Sequence, residues 1–178
     1  MAHLPVVKPV SRENLLLMEQ HLPYGPPEKH AERLKRQEKG EVTYLVAWYD
    51  GVPVGHALLK WRGATEAHLV SHFQGSCPDV EDLLVDRRYR SRGIGTQLLQ
   101  AAERLVADSG FRQIGLAVDT RNKGAHNLYK RLGFRSIGLP PHHERGEYVD
   151  QNGRPASWEE VCIYMVKTLN DKGVDRNE

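Results

Sequence analysis

An α/β fold built on one mixed sheet follows from three observations on the sequence. Two strand-like runs, Val42–Tyr49 (VTYLVAWY) and residues 52–61 (VPVGHALLKW), are joined by Asp50-Gly51, the strongest short-range hairpin signal in the chain. Residues 80–85 (VEDLLV) read as a strand that passes through a polar, glycine-containing turn into a long segment of helical periodicity. A short apolar strand at 114–118 (IGLAV) then precedes a second periodic segment, so strands and helices alternate as they do around a sheet with parallel members.

Each element has its own local reason. Residues 6–10 (VVKPV) are β-like, and Ser11 is a candidate N-cap for a helix over 12–20 carrying Leu15, Leu16, Leu17 and Met18. Pro23, Gly25, Pro26 and Pro27 break it. A second, charged helix starts at Pro26 or Pro27 and runs to Gln37, ending near Gly40; its mixed signs, with Glu32 and Arg36 spaced i,i+4, read as a solvated face. After the hairpin, residues 62–79 are open between a strand extension over 67–73 and a loop. In the next helix Ile94, Leu98, Ala101, Ala102, Leu105 and Val106 recur at helical spacing until Asp108-Ser109-Gly110 stops it. Over residues 122–132, Ala125, Leu128, Tyr129 and Leu132 fall at i, i+3, i+4 and i+7, and Gly133 ends the run. Residues 135–139 and 161–168 (VCIYMVKT) are the last strand candidates. The predicted order is βααββ–βαβαββ, as one domain over residues 1–178 with its core in 5–169 and a disordered tail over 170–178.

Composition excludes several classes. The chain has 178 residues with 25 Lys plus Arg against 23 Asp plus Glu, a formal charge of +2, so no nucleic-acid partner is expected. No apolar run approaches the roughly 20 residues that span a bilayer, and Met1 to Pro5 lacks the charged and apolar regions of a signal peptide. A cytoplasmic protein with no membrane partner is expected. Cys77 and Cys162 supply neither a disulfide framework nor a tetrahedral zinc site. Cys162 reads as core, and Cys77 has no evident base. Nine histidines are scattered, with His142-His143 in a loop that offers no third ligand at metal spacing, so no metal is expected.

The chemistry lies in the turn. From Val85 to Thr96 (VDRRYRSRGIGT) a strand meets a helix through a basic segment containing Gly93 and Gly95. The first amides of a helix have no intrahelical partner, and glycine lets the backbone approach a ligand closely, so a phosphate or diphosphate fits there. Arg87, Arg88, Arg90 and Arg92 add attraction for an anion. The pattern GxxxxGK[ST] is absent, and GxGxxG fails because Leu98 stands where the third glycine belongs.

Arg90-Ser91-Arg92-Gly93-Ile94-Gly95 matches [QR]xxGx[GA], and Asn122 to Phe134 (NKGAHNLYKRLGF) matches NxxAxxLYxxxGF. Two such blocks in this order resemble the GNAT superfamily of N-acetyltransferases. The resemblance covers residues 5–169, with its specific part in 80–134. It implies a three-layer fold around a mixed, mostly antiparallel sheet of six to seven strands with a splayed parallel pair and about four helices. It also implies acetyl-CoA as acetyl donor, held by main-chain groups around Leu83, Leu84 and Val85 at the pantetheine arm. The amides of Arg90, Ser91, Arg92, Gly93, Ile94, Gly95 and Thr96 would hold the diphosphate. Asn122 would bond the pantetheine amides, and Tyr129 would point at the thioester sulfur to give a proton or a hydrogen bond to the leaving thiolate.

An acceptor amine must shed a proton before it attacks, and a carboxylate beside the thioester is the expected base. Glu81 and Asp82 are candidates, expected on opposite strand faces because side chains alternate, with Asp79 a third. The run Glu81-Asp82-Leu83-Leu84-Val85 resembles small-amine members of the superfamily, in which the glutamate is a water-relayed base, so Glu81 is the expected base and Asp82 an amine-binding residue or alternative base. The resemblance places the acceptor among residues 20–31, 62–79 and 140–158. The expected acceptor is a small-molecule primary amine. A peptide acceptor and a CoA-binding sensor without catalysis are the alternatives. Homodimers are frequent in the superfamily, with the VCIYMV run as the candidate contact.

Overall fold

Eight strands and five α-helices alternate along residues 5–169, the part of the chain that the computed structural model describes. The predicted tail over 170–178 lies outside the described residues. In chain order they are β1 (Val6–Pro9), α1 (Leu15–His21), α2 (Lys29–Glu38), β2 (Val42–Tyr49), β3 (Val52–Lys60), α3 (Ala67–Phe73), β4 (Asp79–Val85), α4 (Ile94–Asp108), β5 (Gln113–Asp119), α5 (Lys123–Arg131), β6 (Arg135–Ser136), β7 (His142–Val149) and β8 (Pro155–Thr168). The sheet order is β1-β2-β3-β4-β5-β8-β6, with β7 also on β8. Only β4 and β5 run parallel.

The β2–β3 turn is the one its dipeptide favours: Asp50 and Gly51 both take left-handed backbone, with φ of 49° and 78°. Both strands are apolar along their length because both faces of the sheet are covered. On one face Leu45, Ala47, Leu59, Val80, Ile114 and Leu116 pack against Leu98, Leu99, Ala102 and Val106 of α4. On the other, Val42, Tyr44, Val46, Trp48 and Leu58 pack against Met18 and Leu22 from the α1 segment and Leu34 of α2. A third cluster, Leu69, Cys77 and Tyr164, seats α3.

Three expectations need correction. Residues 67–73 are neither strand nor loop but α3; Leu69 and Phe73, one turn apart, pack in the same apolar cluster and carried that period in the sequence. The loop expected at His142-His143 is β7, a strand of charged residues without apolar alternation, held by its register from His142↔Cys162 to Val149↔Pro155. With these, the sheet has eight strands and five helices rather than six to seven and about four. The Val161–Val166 run, the candidate contact with a second copy, is a part of β8 paired with β5 on one side and with β7 and β6 on the other, and Val161, Ile163 and Val166 stay half-buried. No helix among the described residues is long and apolar enough to cross a membrane.

Gly115 on β5 marks a close approach, since a Cβ there would overlap the Tyr164 hydroxyl. Gly115→Ala is therefore expected to push the Tyr164 ring off its partner Asp79 and to destabilise the fold by about 2–3 kcal/mol, seen as a lower urea midpoint at unchanged slope.

Candidate active site

The site begins where two parallel strands stop pairing. β4 and β5 pair only at Asp79↔Gly115 and Val80↔Leu116. From Glu81 onward the β5 edge of β4 faces a notch rather than a strand. On its other edge β4 pairs with β3, but the register jumps from His56↔Leu84 to Leu58↔Glu81. The extra residue is absorbed at Asp82, whose φ of 49° marks a β-bulge.

The bulge decides which way the carboxylates point. Val80, Leu83 and Val85 pack with the α4-side core, and Leu84 with the α2-side core. Glu81 Oε2 lies 2.6 Å from Lys60 Nζ, and Asp82 Oδ2 lies 3.0 Å from Lys29 Nζ and 2.7 Å from Arg33 Nη1. Both carboxylates thus project to the α2 side. The expected alternation fails here because the bulge places two consecutive residues on one face.

Asp82 is drawn into a buried polar layer that the sequence reading missed. Burial works to raise its carboxyl pKa, but His56, Arg33 and Lys29 outweigh burial and hold the pKa well below the usual range. α2 is accordingly not simply a solvated face: Lys29 and Arg33, one turn apart, point inward, and Arg36 pairs with Glu41 at 3.4 Å rather than with Glu32. The available signal was a Lys-Arg pair at i,i+4 beside Leu34.

Asp79, first residue of β4, is buried. Its carboxylate accepts a hydrogen bond from the Tyr164 hydroxyl at 2.9 Å and meets Lys60 Nζ at 3.2 Å. Burial pushes its pKa up to about 6, against the pull of Lys60 and Tyr164. The fold therefore keeps this proton up to about pH 6, whereas the unfolded chain releases it near pH 4. As pH rises through that window, stability falls by on the order of 3 kcal/mol. Asp79→Asn is expected to remove this slope from urea unfolding measured between pH 4 and 7.

The glycine turn forms an amide concavity. Ser91 and Gly93 both take left-handed backbone, with φ of 60° and 78°, and Gly93 caps α4. The first α4 amide bond runs from Gln97 N to the Gly93 carbonyl at 3.0 Å, and the amides from Ser91 to Thr96 find no partner among the described residues. No acidic residue stands in the first turn of α4. This is the arrangement a diphosphate requires. Arg90 Nε donates to the Val85 carbonyl at 3.1 Å, tying the turn back to the strand.

Asn122 lies just outside α5 as its N-cap, with its side-chain oxygen accepting the Ala125 amide at 3.0 Å. Its amide nitrogen remains a donor. Tyr129 is 8% exposed and its hydroxyl makes no hydrogen bond among the described residues. Burial raises that phenol to about 12.

Tyr129 lines a cleft of about 710 Å³ together with Glu81, Asp82, Leu83, Leu84 and the segment Tyr24-Gly25-Pro26. The β7–β8 hairpin and the start of α3 supply the far wall with Glu66, Glu144, Glu160 and Tyr148. The two walls differ in charge. On the β4 wall Asp79, Glu81 and Asp82 are matched by Lys29, Arg33 and Lys60. On the hairpin wall, which also carries Arg145, no lysine or arginine ion-pairs with Glu66, Glu144 or Glu160 among the described residues; Glu144 meets His142 at 2.9 Å and lies beside Glu160 and Cys162. β7 puts residues 142 and 144 on one face, and Glu66 joins them, with ligand atoms of all three within 4.8 Å. The expectation that His142 lacks a third neighbour of metal-binding type is corrected accordingly. Both thiols are buried and pushed up to about 12, chiefly by burial, which makes neither a nucleophile.

Comparison with known proteins agrees with this geometry. The family described as "Acetyltransferase (GNAT) family" matches residues 13–134. An N-alpha-acetyltransferase of Sulfurisphaera tokodaii is 30% identical over 145 residues, covering 80% of this chain and 82% of that one. An uncharacterized N-acetyltransferase of Methanocaldococcus jannaschii is 34% identical over 102 residues, 57% of this chain but only 41% of that longer one. Among solved structures, the PaiA N-acetyltransferase of Thermoplasma acidophilum in complex with coenzyme A superposes with a TM-score of 0.65 at 16% identity, covering 92% and 98% of the two chains. With parted parallel strands, a glycine turn capping α4 and a family match across most of its length, the chain belongs to the GNAT family.

Proposed function

We propose that this protein transfers the acetyl group of acetyl-CoA to the primary amine of a small cationic molecule by direct attack of the amine. The observation that carries the reading is one cleft in which the notch beside β4 and the Tyr129 hydroxyl face a wall where Glu66, Glu144 and Glu160 outnumber the single arginine, Arg145, and form no ion pair with lysine or arginine among the described residues. Such a wall attracts an ammonium group and disfavours an acidic acceptor. A cytoplasmic setting suits a reaction that consumes acetyl-CoA.

The residues fit the donor. The amides from Ser91 to Thr96, with Arg90 and Arg92 nearby, suit its diphosphate, and the main chain of Leu83–Val85 along the notch suits the amides of its pantetheine arm. Bound there, acetyl-CoA supplies an activated acetyl thioester. The chain's own groups do the rest. Glu81, half exposed on the cleft wall and oriented by Lys60, accepts the proton of the acceptor ammonium, directly or through water. Tyr129 acts as a hydrogen-bond donor to the sulfur as negative charge develops there. With its phenol at about 12, above the roughly 8.5 of a thiol, it keeps its proton and shares it. Main-chain groups of β4 left unpaired along the notch would be available to the thioester oxygen of a bound donor. No protein nucleophile is used, in keeping with two buried thiols of raised pKa.

A second reading, acetylation of a peptide N-terminus, is favoured by the similarity to the Sulfurisphaera tokodaii N-alpha-acetyltransferase, which spans 82% of that protein. Thiol release from acetyl-CoA against monoamines, diamines, amino acids and peptides separates the two. Release with small cationic amines is expected, with diamines ahead of monoamines. Release only with peptides establishes the second reading, and acetyl-CoA binding without release for any acceptor points to the sensor.

A further inference from the structure

We propose that Asp82 is a positioning residue: clamped by α2, it holds the β4 bulge that sets the main chain of Leu83–Val85 along the notch. The inference rests on the acetyltransferase reading for its functional consequence, though not for its structural one.

Asp82 is a non-glycine residue with φ of 49°, a conformation that L side chains resist and that aspartate and asparagine tolerate best. It persists because both ends of the residue are held. Its Oδ2 accepts from Lys29 Nζ at 3.0 Å and pairs with Arg33 Nη1 at 2.7 Å, and these side chains are only 10% and 14% exposed. Its main-chain carbonyl lies 3.1 Å from His56 Nδ1. A carbonyl only accepts, so that nitrogen carries the proton; burial holds the ring neutral, down at about 3.

The helix end of the clamp is itself anchored. His30 of α2 lies 2.8 Å from the Leu22 carbonyl through Nε2 and 2.8 Å from the Tyr44 hydroxyl through Nδ1. The carbonyl fixes Nε2 as the donor, so Nδ1 accepts from Tyr44, a fully buried residue of β2. The layer thus runs from β2 through α2 to the bulge, and α2 is also a wall of the cleft through Lys29 and Arg33.

This geometry leaves Asp82 little to offer as a base. One oxygen carries two cations, which stabilises the ionised form and lowers its affinity for a proton. What the carboxylate does secure is register. A one-residue slip between Glu81 and Leu84 would exchange the faces of Leu83 and Leu84 and turn different main-chain groups toward the notch.

Three variants separate the roles: Asp82→Asn, Asp82→Gly and Asp82→Ala, each in the full chain. All remove the negative charge, but asparagine and glycine accept left-handed backbone and alanine resists it. A positioning role predicts acetyl-CoA affinity by calorimetry within about threefold of the parent for Asp82→Asn, weakened about tenfold for Asp82→Ala, and between these for Asp82→Gly. The pH dependence of kcat/KM keeps its acidic limb in all three. Arg33→Met leaves Lys29 on the carboxylate and an aspartate that accepts left-handed backbone, so it is expected to weaken binding less than Asp82→Ala does, with the double variant no worse than Asp82→Ala alone. If the three variants bind acetyl-CoA like the parent and lose turnover equally, together with the acidic limb, Asp82 acts on the amine and the proposal is overturned. Thermal unfolding reads the clamp without any ligand: Asp82→Ala melts below Asp82→Gly and Asp82→Asn, and equal melting temperatures overturn it. Failure of the parent to bind acetyl-CoA refutes the acetyltransferase reading alone.

Discussion

A Glu81→Gln variant is expected to bind acetyl-CoA within about twofold of the parent and to lose about 10²–10³-fold in kcat/KM, the usual range for removing a general base. Glutamine keeps the size of the side chain and an oxygen that can still accept from Lys60, so β4 and its bulge stay in place. What it loses is the capacity to take the acceptor's proton. The pH profile is the sharper readout. The parent shows an acidic limb that reports ionisation of the base, and the variant lacks it. Asp79 stands two residues away on the same cation, with its carboxyl raised to about 6. A limb near pH 6 that survives in Glu81→Gln assigns the proton to Asp79 instead. Full activity in the variant removes Glu81 from the mechanism.

Tyr129→Phe is expected to lower kcat about 10²-fold, the scale for losing one donor to developing charge, with acetyl-CoA affinity unchanged within about twofold. The ring is buried and packs 6.0 Å from Phe134, centroid to centroid, so phenylalanine preserves the packing of α5. The hydroxyl makes no bond within the described protein, so its removal leaves no partner stranded. The loss then appears in turnover and not in stability. An acetyl donor with a better leaving thiol, such as an aryl thioester, should recover part of the rate. A Tyr129→Phe enzyme as fast as the parent shows that the sulfur leaves without help from this residue.

How much of this was legible in the sequence depends on how local the cause is. The Asp50-Gly51 turn, the caps of α4 and α5 and the glycine turn are set within a few residues, and each stands where its residues put it. The register shift at Asp82 was not legible, because a β-bulge depends on the partner strand: residues 56–58 of β3 must skip opposite residues 81–84 of β4. The two carboxylates therefore share a face that alternation had denied them. The inward turn of Lys29 and Arg33 was hidden for a related reason. A charged helix reads as solvated until a buried acid is seen opposite it, and Asp82 lies roughly fifty residues along the chain. β7 gave no apolar signal at all, since its order comes from pairing with β8.

The central claim is that the notch beside β4 and the amides capping α4 hold acetyl-CoA for transfer to an amine. Calorimetric titration of the full chain with acetyl-CoA, followed directly by thiol release on adding the amine panel, tests it most directly. The account predicts micromolar binding and acceptor-dependent release that is fastest with small cationic amines. An absence of binding would contradict it at the root, because every role given to Glu81, Tyr129 and the glycine turn depends on that donor.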